Sequence, residues 1–247
     1  MLTLLENFKY NIYIEKRFCM AQDNMTRYNK ISIVLESYLK GKGYNKALLA
    51  FHEAKKVHSK DKDGNIALRD DGTPAFQHQI EICLFIMTLK EVSFEEETFA
   101  VALLHDIRED YGIEHSYIKE RYGKKIADAV EKLTKKFNGE KKDTQVYFDS
   151  IATCPISSIV KLADRIHNVS SMVGTFTIKR QEKYVKEIND YFYPLIKKSL
   201  KNFPQQHMSY HAMGTFLKTM SKTVEAALVA ENKINMMTTE SSKNFKM

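Results

Sequence analysis

Apolar residues recur three and four apart along most of this chain, the spacing of helices that bury one face. Ile31, Val34, Leu35 and Leu39 form such a stripe over residues 27–40, ended by Gly41-Lys-Gly43. The preceding residues read as a short amphipathic segment, Leu2 to Tyr13, followed by a polar stretch to residue 26. A second helix starts near Asn45 with Leu48, Leu49, Phe51 and Ala54 on its stripe, and His52 and His58 read as structural or exposed. The period then breaks. Ser59-Lys-Asp-Lys-Asp-Gly64 and Asp70-Asp-Gly-Thr-Pro74 are turn signals on either side of Ile66-Ala-Leu68, which predicts a loop or small hairpin at 59–73. Helical spacing resumes from Phe76 to about Lys90, with Ile80, Cys83, Leu84 and Met87 inward. It continues over 95–109, in a short helix ending at Tyr122-Gly123, over 124–136 to a stop at Asn138-Gly139, and over 144–153. Pro155 opens a helix whose Ile156, Ile159, Val160, Leu162 and Ala163 surround it almost completely, which predicts a central, buried position. Helices at 180–201 and 208–234 complete the pattern, with a flexible polar tail from Thr238.

Composition sharpens this to an all-α reading. The 247 residues include only 9 Gly and 4 Pro, so helix breakers are few. The domains expected are an N-terminal helical extension at 1–45, a core at 46–175, C-terminal helices at 176–237 packing on it, and a tail at 238–247. Three isolated cysteines and no Cys-x-x-Cys suit a reducing, cytoplasmic setting. No apolar run approaches the roughly 20 residues of a membrane helix. The net charge of +7 suits an anionic partner without choosing between a nucleotide and a nucleic acid. A basic nucleic-acid-binding module remains an alternative, disfavoured by the lack of a clustered basic stripe or a reading motif; a salt-sensitive shift of DNA or RNA without phosphatase activity would support it.

The chemistry concentrates in Phe99-Ala-Val-Ala-Leu-Leu-His-Asp-Ile-Arg-Glu-Asp110. Read as one helix, this segment turns His105 the same way as Glu109, and Asp106 the same way as Asp110. Imidazole beside carboxylate suits a divalent cation. The bland reading is a helix leaving the core with a solvated acidic end. The helix at 155–170 alters that balance, because Lys161, Asp164, Asn168 and Ser171 share one of its faces. Polar groups on a buried helix are costly unless satisfied, which also marks Arg165 and His167. If that face meets His105 and Asp106, Asp164 joins them and His78 completes two imidazoles and two carboxylates. Such a set fits manganese, iron or another divalent first-row ion better than structural zinc.

Gly72-Thr-Pro-x-x-x-His78, Ala102-Leu-Leu-His-Asp-x-x-Glu-Asp110, Tyr122-Gly123 with Leu133-Thr-Lys135, and Lys161-Leu-Ala-Asp-Arg-Ile-His-Asn168 resemble, in order and spacing, the HD phosphohydrolase superfamily. More narrowly, they resemble the hydrolase domain of RelA/SpoT homologues and the stand-alone small alarmone hydrolases. The resemblance covers about residues 46–175. It implies an all-helical HD fold and a manganese-dependent hydrolase that removes the 3′-pyrophosphate of guanosine tetra- and pentaphosphate. By matched position His78, His105, Asp106 and Asp164 would hold Mn2+, and Glu109 and Asp110 would orient and activate water. Asn168 and Ser171 would contact the nucleotide, with Lys161, Arg165 and Arg69 toward its phosphates or base. This sequence departs from the family in a longer 59–73 loop, in Ala75 for the usual aromatic, in Gln79 after the histidine, and in Tyr111 after Glu-Asp. Base preference therefore stays open toward adenosine alarmones, NADPH or another nucleotide.

Overall fold

The computed structural model describes the backbone of residues 2–61 and 63–244, and side-chain surroundings within 22–61 and 63–231. The order is α1 (Leu2–Lys42), α2 (Asn45–His58), α3 (Gln77–Met87), α4 (Glu95–Leu104), α5 (Ile107–Tyr111), α6 (His115–Tyr122), α7 (Lys124–Leu133), β1 (Lys136–Phe137), β2 (Glu140–Lys141), α8 (Thr144–Ile151), α9 (Pro155–Ser170), α10 (Ile178–Glu187), α11 (Tyr193–Asn202) and α12 (His207–Asn244). A π turn at Ile188–Phe192 links α10 to α11. The all-α expectation holds, with one two-stranded sheet among the described residues.

α9 is the central helix. It packs against α3, α4, α7 and α12, and most of its residues from Ile156 to Ile166 are buried. Pro155 at its first position costs no hydrogen bond, because that amide has no partner inside the helix. α4 runs beside it, buried from Thr98 to Leu104. Its first turn is acidic and does two jobs. Glu95, Glu96 and Glu97 suit the positive end of the helix dipole. Glu95 also accepts from the hydroxyls of Tyr38 and Tyr44, each at 2.7 Å, and Glu96 from the Lys46 amide at 2.7 Å. These bonds fix the start of α4 against α1 and α2.

Several local expectations give way. The polar stretch before residue 26 does not interrupt α1, which is helical from Leu2. On α1 Leu35 and Leu39 are buried but Val34 is 52% exposed, since a 100° step from Leu35 carries it off the buried face. Leu49 on α2 is likewise exposed, and Leu84 and Met87 on α3 are only half-buried beside fully buried Ile82 and Ile86. The 124–136 helix stops at Leu133, and Asn138-Gly139 is the turn of a hairpin rather than a helix stop. Both residues have positive φ, 48° and 85°, as the turn that suits the twist of paired strands requires. α12 stays helical to Asn244, past the expected start of a flexible tail at 238; residues 245–247 lie outside the described residues.

The expected single helix over 95–109 is two helices. The chain turns at His105-Asp106 between α4 and α5. His105 and Glu109 therefore do not share a face: His105 is buried while Glu109 is exposed on α5. Asp106 and Asp110 keep their one-turn relation, with the Asp110 amide donating to the Asp106 carbonyl at 2.9 Å.

Candidate metal centre and adjoining cavity

Three elements converge. His78 stands in the first turn of α3, His105 follows the last turn of α4, and Asp164 lies midway along α9. One ligand atom from each lies within 4.8 Å of the other two, and all three residues are buried. Asp106 is not in that mutual group but adjoins it, with Oδ2 2.8 Å from His105 Nε2.

Hydrogen bonds fix the orientation of each group. His105 Nδ1 donates to the Ala102 carbonyl at 2.8 Å, which leaves Nε2 facing the site. That nitrogen is buried, and despite the close Asp106 oxygen no hydrogen bond of acceptable direction reaches it. Asp164 accepts from Lys161 Nζ at 3.0 Å and from Asn168 Nδ2 at 2.6 Å, and its Oδ1 lies 3.3 Å from His78 Nε2. An orphaned imidazole nitrogen and a second one facing a carboxylate make a donor set that fits a divalent cation.

The charges are strongly perturbed. Burial lowers His78 to about 4, outweighing the pull of Asp164, so its ring is neutral. Burial also opposes charge on His105, but Asp106 and Asp164 outweigh it and raise the group to about 9. Burial would raise Asp164; Lys161, His78 and His105 together hold it well below the ordinary carboxylate range. Partial burial, then the carboxylates of Asp106 and Asp110's neighbour Glu109, push Asp110 up to about 6.

A cavity of about 320 Å³ opens beside the group, lined by His78, Asp106, Asp164, Asn168, Ser171 and Arg69 together with Asp70, Asp71, Thr175, Phe176 and Arg180. The irregular hairpin at 59–74 delivers Arg69. Its tip is closed by Gly72 N to Arg69 O at 2.9 Å and Arg69 N to Thr73 O at 2.8 Å, with Gly72 at φ 78°. Arg69 Nη2 then donates to Asn168 Oδ1 at 3.0 Å. Arg180, which stacks 3.5 Å above Phe176, pairs with Asp70 at 2.7 Å. Sequence reasoning missed Phe176 and Arg180, because they lie beyond the last motif.

Other suspected residues have different surroundings. Lys161 is bound to Asp164, so its charge is spent on a site carboxylate. Arg165 faces away from the cavity lining, paired with Glu187 at 2.8 Å and stacked on Tyr184 and Phe192. Glu109 accepts from the backbone amides of Lys135 and Lys136, the latter at 2.7 Å, and so anchors the β1–β2 hairpin. Neither Glu109 nor Asp110 lines the cavity.

Residues 50–146 match the family model of the HD domain. The chain is 29% identical over 195 residues to a guanosine-3′,5′-bis(diphosphate) 3′-pyrophosphohydrolase of Aquifex aeolicus, covering 72% of this chain and 27% of that one. With the bifunctional (p)ppGpp synthase/hydrolase SpoT of Escherichia coli it shares 27% identity over 135 residues, 51% of this chain and 19% of that one. Residues 50–146 thus carry the HD-domain pattern, and the chain is similar to proteins of the RelA/SpoT type. A metazoan SpoT orthologue of known structure, which hydrolyses ppGpp, overlays with a TM-score of 0.49 at 17% identity, over 70% of this chain and 94% of that one. The chain spans about a quarter of the length of the curated relatives it matches.

Two departures from the family pattern meet at one residue of this HD domain. Gln79 Nε2 donates to His58 Nε2 at 3.0 Å, and the Tyr111 ring packs edge-on against the His58 ring with centroids 4.8 Å apart. His58 also donates Nδ1–H to the Ala54 carbonyl. Gln79 and His58 are buried and Tyr111 covers them from the exposed side, and no residue of this set lines the cavity. Among the described residues no helix is long and apolar enough to cross a membrane.

Proposed function

We propose that this HD domain hydrolyses the 3′-pyrophosphate of guanosine alarmones, giving GDP or GTP and pyrophosphate, with a divalent cation held by His78, His105 and Asp164 and completed by Asp106. The observation that carries the reading is the convergence of those three ligand atoms within 4.8 Å beside a polar cavity that also holds Arg69 and Arg180. The names of the relatives supply the substrate class, and manganese is the ion the resemblance favours. A bound cation would polarise a phosphoryl oxygen and make a water acidic enough to attack near neutral pH.

The chain's own residues do the rest. Lys161 and Asn168 hold the Asp164 carboxylate in place. Arg69, on the hairpin tip beside Asn168, faces the cavity where a nucleotide would enter. Ser171 lines the same wall. Asp110, raised to about 6, exchanges a proton easily near neutral pH and is the group of choice to take one from the attacking water. Glu109 supports it by fixing α5 to the β1–β2 hairpin. A cytoplasmic setting follows from the substrate class.

One observation favours a second reading, a different base. The cavity wall contributed by the longer hairpin carries Asp70 and Asp71, and Ala75 follows where the family has an aromatic. A panel of guanosine and adenosine alarmones, NADPH and mononucleotides, assayed with Mn2+ and resolved by chromatography, separates the readings. Guanosine tetraphosphate should give GDP and intact pyrophosphate. Orthophosphate as first product, or cleavage only of 5′-phosphates, would refute the assignment.

A further inference from the structure

His78 touches a second histidine that the mechanism does not use. His78 Nδ1 lies 2.9 Å from His167 Nδ1, and His167 Nε2 lies 2.7 Å from Glu81 Oε2. The other Glu81 oxygen accepts from Arg27 of α1 at 2.8 Å and from Gln77 at 3.1 Å, which leaves Oε2 for His167. Burial pushes the Glu81 carboxyl up, but His167, Gln77 and Arg27 bring it below its ordinary value. It is therefore ionised and can only accept.

The proton positions follow from that end. Glu81 accepts, so His167 Nε2 carries a hydrogen. A contact between two ring nitrogens needs one donor and one acceptor; with one hydrogen on each ring and that of His167 directed at Glu81, His78 Nδ1 is the donor. His78 Nε2 is left as a lone pair, 3.3 Å from Asp164 Oδ1. Two acceptors face one another there, an arrangement that a cation between them relieves. His105 Nδ1 is likewise held, by the Ala102 carbonyl at 2.8 Å.

We infer that His167 and Glu81 are positioning residues, which hold His78 in the Nδ1–H tautomer so that Nε2 points a lone pair into the cation site. This rests on the metal-centre reading above. Orienting partners of this kind set the direction and basicity of a histidine ligand. Through Arg27 the set also ties the metal centre to α1, an element outside the matched HD region.

The test needs no nucleotide. In metal-free protein labelled with 15N-histidine, two-bond 1H–15N couplings should show His78 protonated at Nδ1. Titration with Mn2+ alone, followed by calorimetry, should give about 10–100-fold weaker binding for His167→Phe and Glu81→Ala. His78 in either variant should become a tautomer mixture. Glu81 is partly exposed, so Glu81→Ala supplies a folded variant if His167→Phe does not fold. Wild-type protein with His78 protonated at Nε2, or a folded variant that binds Mn2+ as tightly as wild type, overturns the inference and leaves the proposed activity standing. Wild-type protein that binds no Mn2+ refutes the metal centre and the proposed activity together.

Discussion

Replacing Lys161 by Met removes one partner of a buried carboxylate while keeping the length of the side chain. Lys161 is 20% exposed and Asp164 11%, with 3.0 Å between Nζ and Oδ2. Deleting one member of a buried pair costs about 3–5 kcal/mol. Asp164 retains the Asn168 amide donor at 2.6 Å, which places the loss near the lower end. At about 2.1 cal/mol/K per residue, a chain of 247 residues unfolds with an entropy of about 0.5 kcal/mol/K, so the melting temperature should fall by about 6 °C. The sign with pH is fixed by Asp164, whose carboxyl is depressed in the folded protein. The stability it contributes is fully present above its unfolded value of about 4 and is lost as pH falls through the lower folded value. Without Lys161 the folded value rises, so the gap between the two proteins should narrow as pH falls below about 4. Mn2+ takes over part of the missing charge, and at fixed Mn2+ should raise the melting temperature of the variant more than that of wild type. The assay is circular-dichroism melting from pH 7 to 3, with and without Mn2+. A fall under about 1 °C at pH 7, or a gap that does not change with pH, would refute this account of the pair.

Further outcomes test the rest of the site. A chelator should abolish hydrolysis and added Mn2+ should restore it; full activity in rigorously metal-free protein excludes the centre. Asp110→Asn should lower turnover by about 10²–10⁴. Because a base must be ionised and Asp110 is raised to about 6, wild-type turnover should decline as pH falls through that value, or lower where a cation draws it down, and the variant should lose this limb. Asn168→Ala should raise KM and also weaken Mn2+ binding, since Asn168 supports both Arg69 and Asp164; unchanged metal affinity would confine it to the nucleotide. Glu109→Ala should loosen the β1–β2 hairpin, seen as faster amide exchange at Lys135 and Lys136, and unaltered exchange there would remove its anchoring role.

Helix content, the buried character of α9 and the shared face of Lys161, Asp164 and Asn168 were legible in the sequence. Each depends on local spacing: a stripe repeats every three or four residues, and Lys161, Asp164 and Asn168 share a face because the helix turns every 3.6 residues. The Asn-Gly turn was also legible, and was misread as a stop because two-residue strands carry no alternation to set against the preceding helix. The tertiary structure alone decided the partners that lie far along the chain. Arg69 reaches Asn168 across 99 residues, and Glu81 reaches His167 across 86. No periodicity carries such a pairing; it depends on how α3 and α9 pack and where the hairpin tip comes to rest. The same packing sent Arg165 toward Glu187 and brought Phe176 and Arg180 to the cavity wall. The division at His105-Asp106 is of this second kind too. In isolation those residues extend the helical pattern, and in the fold the His105 ring bonds back to Ala102 while Nε2 turns toward residues of α3 and α9.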